Sequence, residues 1–328
     1  MSKNQQQMQR RSFQVFRTVG LAIDPVHVGT GGARLGRVDN TIVRDPATRI
    51  PKIPGSSLAG VHRAYAAMAL EDERCSLTDE ERKQRGWTQP FYPNHAGQDP
   101  DNKNDGTGPI NAVFGHKSFA GLAAFSDAQL VLFPVASREG PLWVTSPSAL
   151  RFVGANATID EANRNKAQRS GKKATVNLGW LHLEADCWMD LQAVKDALRT
   201  FGVPDNLCKD LRVVARLVLV SDKIFGHVVN SNLEVRTSVA INPATGAAED
   251  RALFTYEAVP RGSVLAWDVT CRDPRHFPDK RSAPTVTNTQ QVHDVVAKAH
   301  PLLAALGIGG MGTRGMGRLE VLAVGGAQ

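Results

Sequence analysis

Two glycine-rich segments contain the residues of this sequence that could do chemistry on a phosphate. The segment near the C-terminus, GIGGMGTRGMGR, has six glycines between positions 307 and 317. Backbone N–H groups of such a loop approach an anion closely, and its arginines neutralise the charge. A tight helix-to-strand connection without a ligand is the alternative. The predicted phosphate contacts are Gly309, Gly310, Arg314, Gly315 and Arg318.

The second segment, HVGTGGARLGRVDN over residues 27–40, combines glycines with a histidine, two arginines and one carboxylate. Asp39 is a candidate acid–base group or metal ligand, and His27 and Arg37 could offset charge on a phosphate. Each also has a structural interpretation. Asp39 could bond its own backbone in a turn beside Asn40, and His27 could be a packing residue, because no catalytic partner is evident beside it.

Regular elements must hold the first segment in place. Apolar residues two apart predict a strand over residues 13–23, directly before the glycines. A helix is expected to begin after Pro54, with Ser56 or Ser57 as its cap. Its predicted buried residues are Leu58, Val61, Tyr65 and Met68.

The C-terminal segment has matching neighbours in reverse order. A helix over residues 290–306, kinked or broken by Pro301, precedes the glycines, and a strand over 318–324 follows them. The two strands can belong to one sheet, which would bring both loops to the same end of the molecule. Every functional interpretation below requires that placement.

The middle of the chain predicts further strands and polar excursions. Apolar runs favour strands over 130–135, 142–144 and 212–221, the first with Pro134 at an edge or bulge, and Asp190 is expected to cap a short helix. Residues 92–109 and 154–177 are polar and are expected to be loops. The second contains a basic cluster that is either a solvated surface or a patch following phosphates.

Residues 232–259 predict an extended β-hairpin around the turn residues 243–246. Its arms mix apolar with polar residues, so it could project from the body and touch a partner. Arg236 on the first arm is a candidate contact to a polyanion. Glu257 at the end of the second arm is interpreted as a surface carboxylate, or as a weaker assistant to Asp39.

Composition limits the classes of protein. The chain has 328 residues, a formal charge of +7 and 42% apolar residues, which describes a globular protein that favours a polyanionic partner. Its four cysteines lack metal-site spacing, and it has no apolar run long enough to cross a membrane and no secretory signal, so a cytoplasmic location without membrane contact is expected. Motifs of serine hydrolases, zincins and zinc deaminases are absent from the sequence.

Taken in order, the segments HVGTGGARLGRVDNTIVRDPATRIPKIPGSSLAGVHR, AGLAAFSDAQLVLFPVAS, LWVTSP and LGIGGMGTRGMGRLEV resemble the RAMP superfamily of CRISPR-Cas proteins. More narrowly, the chain is similar to the repeated backbone subunit of type III effector complexes. SDAQLVLFPV and LWVTSP favour the Cmr (type III-B) form over the Csm (type III-A) form. The similarity covers most of the chain and is weakest over 71–108 and 154–176.

The resemblance implies an α+β fold: a ferredoxin-like, RRM-like palm with inserted helical and loop segments and a projecting β-hairpin thumb. It implies one RAMP domain over 1–328, polar insertions at 71–118 and 154–177, and the thumb at 226–260. Copies of the chain are expected to stack along a guide RNA that pairs with target RNA, together with other effector-complex subunits.

The resemblance also assigns roles to residues. Asp39 occupies the position of the acidic residue that cleaves target RNA, with a transient divalent metal (Mg²⁺ or Mn²⁺) as its cofactor and His27 and Arg37 as assistants. Guide RNA is expected to contact the C-terminal glycine loop, Arg236, Ser56 and Ser57 at their helix N-terminus, and Arg63 in the same helix. The alternatives are a non-catalytic filament subunit and a stand-alone endonuclease that processes the guide precursor.

Overall fold

The structure, a computed structural model, describes residues 11–31, 38–97, 108–117, 119–170, 174–208, 211–249, 253–278 and 286–327. Most strands join one large mixed sheet in the order β15-β1-β14-β4-β5-β11-β6-β8-β7, with β2 pairing β4 and β3 pairing β14. Two short pairs, β9–β10 and β12–β13, lie outside it. The strands are β1 (Phe13–Ala22), β2 (Lys52–Ile53), β3 (Ala123–Phe125), β4 (Ala128–Val135), β5 (Leu142–Thr145), β6 (Ala167–Arg169), β7 (Ala174–Leu178), β8 (Leu181–Cys187), β9 (Asn206–Cys208), β10 (Leu211–Arg212), β11 (Leu217–Leu219), β12 (Glu234–Ser238), β13 (Phe254–Ala258), β14 (Val264–Arg272) and β15 (Leu319–Ala327).

Helices cover the sheet on both faces. Strand residues alternate between the two cores: in β14, Leu265 and Trp267 pack under one set of helices, and Val264 and Ala266 under the other. No helix in the described ranges is both long and apolar enough to cross a membrane. The helices are α1 (Gly55–Cys75), α2 (Asp79–Arg85), α3 (Gly108–Phe114), α4 (Pro147–Arg151), α5 (Leu191–Thr200), α6 (Asp222–Ser231), α7 (Thr289–Ala297) and α8 (His300–Leu306).

The palm is a ferredoxin-like unit. Its elements follow the chain order β1–α1–β4 and then β14–α7/α8–β15, and its four strands lie in the order β15-β1-β14-β4 with antiparallel pairing throughout. This βαββαβ arrangement is the one that the resemblance implies. The α+β fold is therefore confirmed, and the elements from β5 to β13 are inserted between the second and third strands of the palm.

Most predicted elements of the palm and hairpin are confirmed. The predicted strand over 13–23 is β1, the apolar runs near 130 and 142 are β4 and β5, and the last strand is β15. Pro134 pairs with Trp143 of β5 beyond the end of the β4–β14 register, so its missing N–H costs no ladder bond to β14. Pro301 lies in the first turn of α8, and the predicted long helix is broken there into α7 and α8.

Three predictions in the middle of the chain are wrong. Residues 212–221 form mainly a 3₁₀ turn (Val214–Arg216) and the short strand β11, because an apolar run signals burial without specifying a backbone conformation. Residues 154–177 are not one loop, since they include β6 and part of β7. Asp190 stands at the start of α5 but its side chain makes no capping hydrogen bond.

The basic cluster in 154–177 is largely neutralised by acidic side chains. Arg169 pairs with Glu139 at 2.6 Å, Lys166 lies 3.3 Å from Asp186, and Arg164 pairs with Glu161. Two of these three partners come from other strands or turns, so sequence proximity could not reveal them. The solvated-surface interpretation is the better supported one for these three cations, and Lys172 and Lys173 lie outside the described residues.

Candidate functional site

The two glycine-rich segments meet at one end of the palm. Because β1 and β15 are antiparallel neighbours, the chain leaving β1 lies beside the chain entering β15. Gly317 donates its N–H to the carbonyl of Pro25 at 2.9 Å, and Gly310 donates to the carbonyl of His27 at 2.8 Å. A Cβ on Gly309, whose φ is +90°, would lie 2.3 Å from the same carbonyl oxygen. Glycine is required there, and the predicted placement of both loops at one end is confirmed.

The base of the hairpin lies between the two segments. On one face of β13, Tyr256 and Ala258 pack against Met316 of the C-terminal loop. Along the edge of β13 that β12 does not use, Asn40 donates to the carbonyl of Thr255 and accepts from the N–H of Glu257, both at 3.0 Å. The first loop therefore extends the hairpin as a short parallel strand.

Asp39 lies exposed on this edge and is bound to Thr255. Its Oδ2 accepts the backbone N–H of Thr255 at 2.7 Å and the threonine hydroxyl at 2.9 Å, and its own N–H donates to that hydroxyl at 3.1 Å. The hydrogen bonds from the Thr255 backbone and hydroxyl lower the pKa of the carboxyl below its ordinary value. Asp39 is therefore an anion at neutral pH, and its main partner is an edge N–H of β13, with a smaller contribution from its own backbone N–H.

His27 is buried, with 5% of its surface exposed. Its Nδ1 lies 2.6 Å from the carbonyl oxygen of Glu257, and since a carbonyl only accepts, Nδ1 carries the proton. Nε2 is the ring nitrogen that this hydrogen bond does not use. A cavity of about 180 Å³ borders the ring and is lined by His27, Gly29, Thr30, Gly31, Asn40 and Thr41. Packing against the loop is its evident role, and any contact with a ligand would require entry into this cavity.

Glu257 is not the surface carboxylate that its strand position suggests. Its side chain is only 14% exposed, and it accepts Arg44 Nη2 at 2.8 Å and the N–H of Ile42 at 3.3 Å. Glu257 and Arg44 line a cleft of about 470 Å³, together with Arg49 and Asn230. Glu257 thus holds the strand that follows Asp39 against β13.

Arg314 is exposed on the C-terminal glycine loop. Its guanidinium lies 5.0 Å from the ring centroid of Phe254, and within the described residues no carboxylate pairs with it. Arg318, in contrast, forms a two-point ion pair with Asp24 at 2.5 and 3.1 Å. Arg236 pairs with its neighbour Glu234 at 2.6 Å.

The predicted cap of α1 is wrong. Pro54 holds the cap position, and neither Ser56 nor Ser57 caps the helix. The carboxylate of Asp127 accepts the N–H of Gly55 at 2.8 Å, and the N–H of Ser57 donates to Pro54, so two of the first three amides are already used. Of the predicted buried residues Leu58 is buried, whereas Val61, Tyr65 and Met68 are partly buried, so the buried stripe differs in part from the predicted one. The buried stripe is Leu58, His62, Ala66, Ala67 and Leu70.

Arg63 is partly occupied by contacts within the protein. It donates to the carbonyls of His95 at 2.8 Å and Gly115 at 2.7 Å and to Asn111 Oδ1 at 2.9 Å. Burial lowers the pKa of its guanidinium. Arg63 thus connects α1 to the segments around α3, a use that required the tertiary partners to be known, and its RNA contact stays a prediction.

Comparison with known proteins identifies the family. The sequence model of the RAMP superfamily matches residues 21–320 of the chain. This chain belongs to the RAMP superfamily. It is 26% identical over 270 residues to the CRISPR system Cmr endoribonuclease Cmr4 of Pyrococcus furiosus, covering 75% of this chain and 78% of that protein.

Solved structures agree with the fold of this RAMP protein. It superposes on a chain of the type III-B Cmr-beta complex bound to cognate target RNA with a TM-score of 0.57 and 17% identity, covering 95% of this chain and 98% of that one. Oligomeric Cmr4 from Pyrococcus furiosus gives a TM-score of 0.56 at 19% identity, covering 96% and 99%.

The described donor atoms of this RAMP protein fit a divalent metal only if waters and RNA phosphates supply most of its ligands. Asp39 offers Oδ1, to which no other described residue donates a hydrogen bond. Asp45 is engaged by the N–H groups of Ala47 and Thr48 within its own turn. Across the described residues no group of three or more potential ligands forms a metal cluster. Mg²⁺ commonly takes one carboxylate with waters and phosphates, which is compatible with Asp39 alone.

Two residues of the site, Thr255 and Arg44, were not predicted from the sequence. Thr255 is an ordinary strand threonine in sequence, and only the parallel pairing with residues 39–42 reveals it. In sequence, Arg44 looks like a solvated basic residue after the loop. In the structure it is largely covered and pairs with Glu257. Arg37, predicted to assist catalysis, lies outside the described residues.

Proposed function

We propose that this RAMP protein is a backbone subunit of a type III CRISPR effector complex, in which copies line a guide RNA and each copy cleaves the paired target RNA through Asp39. One observation carries the proposal: an exposed, ionised carboxylate is bound to the base of a hairpin, beside two glycine loops that meet at one end of a ferredoxin-like palm. Membership of the superfamily and the endoribonuclease name of its relative support it.

The chemistry needs positioning more than a set of catalytic groups. A hairpin that displaces one nucleotide from the stack lets its 2′-oxygen line up with the adjacent phosphorus. A bond from the 2′-oxygen to phosphorus forms as the bond to the 5′-oxygen breaks, and the 5′-oxygen takes a proton from water, which leaves a cyclic phosphate and a 5′-hydroxyl. In this proposal Asp39 receives the 2′-hydroxyl proton or binds a metal, and His27 holds the loop around it.

A divalent metal, Mg²⁺ or Mn²⁺, is part of the proposal. When bound, it would neutralise the charge that develops on the phosphate oxygens. The Oδ1 atom of Asp39 is the protein atom suited to hold it, with waters and the RNA supplying the other oxygens. Asp39 contributes a full negative charge at neutral pH because its pKa is lowered by Thr255.

Guide RNA is proposed to lie over the C-terminal glycine loop. The exposed Gly310, Gly312 and Gly315 put no side chain between backbone and phosphate, and Arg314 supplies a cation that no described carboxylate neutralises. Arg318 and Arg236 already have acidic partners at the surface, so they are secondary contacts. Ser56, at the start of α1, stays a candidate through its exposed position.

Asp39→Asn tests the catalytic role. We expect the assembled complex containing this variant to bind target RNA as the wild type does and to lose cleavage at every interval, because the amide supplies neither a charge nor a base. Glu249→Gln, on the exposed distal part of the hairpin, is the matched control and should cut normally. Gel analysis of end-labelled target with and without EDTA reads out cleavage and metal dependence together.

The same experiment separates the alternatives. Unchanged cutting by Asp39→Asn would make this chain a structural filament subunit that binds guide RNA without cleaving. Cleavage of guide-precursor RNA by the isolated chain would favour a stand-alone endonuclease, a function that the burial of His27 opposes. Cutting that persists in EDTA would remove the metal from the proposal and leave Asp39 as a base.

A further inference from the structure

Thr255 holds the Asp39 carboxylate through one of its two oxygens. The backbone N–H and the hydroxyl of Thr255 both donate to Oδ2, at 2.7 and 2.9 Å. The hydroxyl also accepts the N–H of Asp39 at 3.1 Å, which closes a ring of hydrogen bonds between the two residues. Oδ1 receives no hydrogen bond from another described residue. Within the described part of the chain, Thr255 therefore holds one oxygen and leaves the other without a donor.

This arrangement attaches the carboxylate to the hairpin. Asp39 follows a loop that leaves β1, so its covalent connection is to the palm. Its hydrogen bonds, however, are to Thr255 near the start of β13, and Asn40 next to it pairs with the same strand. A movement of the hairpin relative to the palm would therefore move the carboxylate with it, as long as the hydrogen bonds between Thr255 and Asp39 stay intact.

We propose that Thr255 is a positioning residue for target-RNA cleavage, directing the free oxygen of Asp39 toward the nucleotide that the hairpin displaces. The inference rests on the proposed catalytic role of Asp39 and assigns to the hairpin a second task besides displacing a nucleotide. Cleavage becomes conditional on hairpin position, because reacting groups misplaced by about 1 Å lose on the order of a hundredfold in rate.

A purely structural role for Thr255 makes a different prediction. The edge N–H of β13 needs an acceptor, and Asp39 supplies one whether or not it cleaves RNA. In that case removing the hydroxyl would weaken the hairpin base and lower the yield of assembled complex. The cleavage rate of each complex that did assemble would stay the same.

Thr255→Val and Thr255→Ser distinguish the two roles. Valine keeps the branched shape and strand preference of threonine but has no hydroxyl, whereas serine keeps the hydroxyl. The control is Thr237→Val: Thr237 is the cross-strand partner of Thr255 and is exposed. The measurement is the single-turnover cleavage rate of assembled complex at saturating target, with the target Kd measured separately.

We expect Thr255→Val to cut about 10- to 100-fold more slowly with a Kd within about twofold of the wild type, since one charge-assisted hydrogen bond is lost at a group that acts in the transition state. Thr255→Ser should retain the rate to within about threefold, because it restores the donor. Thr237→Val should match the wild type.

Three results would overturn the inference. They are a wild-type rate in Thr255→Val, an equal loss in Thr255→Ser, or a loss confined to Kd. Thr255→Ala is the second variant if the valine variant does not assemble, and a wild-type rate there has the same meaning. Asp39→Asn is measured alongside. If that variant still cuts, the proposed function itself is wrong. If Asp39→Asn does not cut but Thr255→Val cuts at the wild-type rate, only the role of Thr255 is removed.

Discussion

At the scale of single residues, the site depends on close backbone approach more than on side-chain chemistry. The C-terminal loop touches the first loop through glycines, and His27 presents its carbonyl to Gly310 while its ring is fixed by the carbonyl of Glu257. Such contacts leave no space for a Cβ. The glycines at 307–317 therefore have two roles. Gly309 allows the close contact between the two loops, whereas the exposed Gly312 leaves the backbone open to a phosphate.

Gly309→Ala should disrupt the junction of the two loops. Its φ of +90° is unfavourable for alanine, and the added Cβ would lie 2.3 Å from the carbonyl oxygen of His27. We expect a loss of about 2 to 4 kcal/mol in the free energy of unfolding from strain and displacement of the loop. Urea denaturation of the purified chain measures it.

Gly312→Ala is the matched control for that variant. A Cβ at Gly312 would meet no heavy atom within 4 Å, and its φ is outside the left-handed region. The free energy of unfolding should change by less than about 0.5 kcal/mol, as for an ordinary surface position. Equal destabilisation by the two alanines would contradict the assignment of Gly309 to the loop junction.

At the scale of elements, the helices over the palm enclose a cluster of three histidines. They are His62 on α1, His293 on α7 and His300 on α8. The ring centroid of His300 lies 5.7 Å from that of His62 and 6.3 Å from that of His293. The Nε2 atom of each is buried without a partner. Burial lowers the pKa of His62 to about 4 and that of His300 to about 3, and it also lowers the pKa of His293, which Asp294 partly opposes.

Stability should therefore fall on acidification below neutral pH. These histidines are neutral in the folded chain, while in the unfolded chain they take up protons near pH 6.5, so the unfolded state gains protons first as pH falls. The loss begins below about pH 6.5 and continues toward pH 4, and His62 alone accounts for about 3 kcal/mol over that range. Urea denaturation at pH 7 and pH 5 measures the difference in unfolding free energy.

His300→Gln should reduce the difference between pH 7 and pH 5, because glutamine does not titrate. His227→Gln is the control, since His227 is exposed on α6 and should leave the pH dependence unchanged. An undiminished slope in His300→Gln would show that the acid sensitivity comes from other groups, such as the carboxylates in ion pairs.

At the scale of the whole molecule, charge and architecture act together. The net charge of +7 favours RNA, but many cations of the described surface are paired with carboxylates, as in Arg318–Asp24 and Arg169–Glu139. Unpaired cations therefore matter more than the total. Arg314 is placed where the palm, the hairpin and both loops converge, so that its charge acts on any strand passing over that end.

Arg314→Ala should weaken guide-RNA binding and flatten its salt dependence. One lost phosphate contact reduces the slope of log K against log salt by about 0.7 to 0.9. Arg199→Ala is the control, because Arg199 on α5 is already paired with Asp196 and Asp205. Filter binding over a range of salt concentrations measures both slopes, and an unaltered slope for Arg314→Ala would make the loop a structural connection.

The sequence determined the local features that depend on neighbours along the chain. Period-two apolar residues specified β1 and β15, turn residues specified the hairpin, and Pro301 specified the break between α7 and α8. The order of the glycine segments was sufficient to indicate the family and to single out Asp39. These signals are short-range or follow from chain order, so they need no knowledge of packing.

Only the tertiary structure decided how side chains are used. Arg63 donates hydrogen bonds to His95, Asn111 and Gly115, and Glu257 forms an ion pair with Arg44. In sequence, both residues look like solvated surface charges. Asp39 and Thr255 are 216 positions apart and meet through the pairing of a loop with an edge strand. Hydrogen bonds and ion pairs between distant segments depend on geometry within a few tenths of an ångström, which residue type and spacing do not encode.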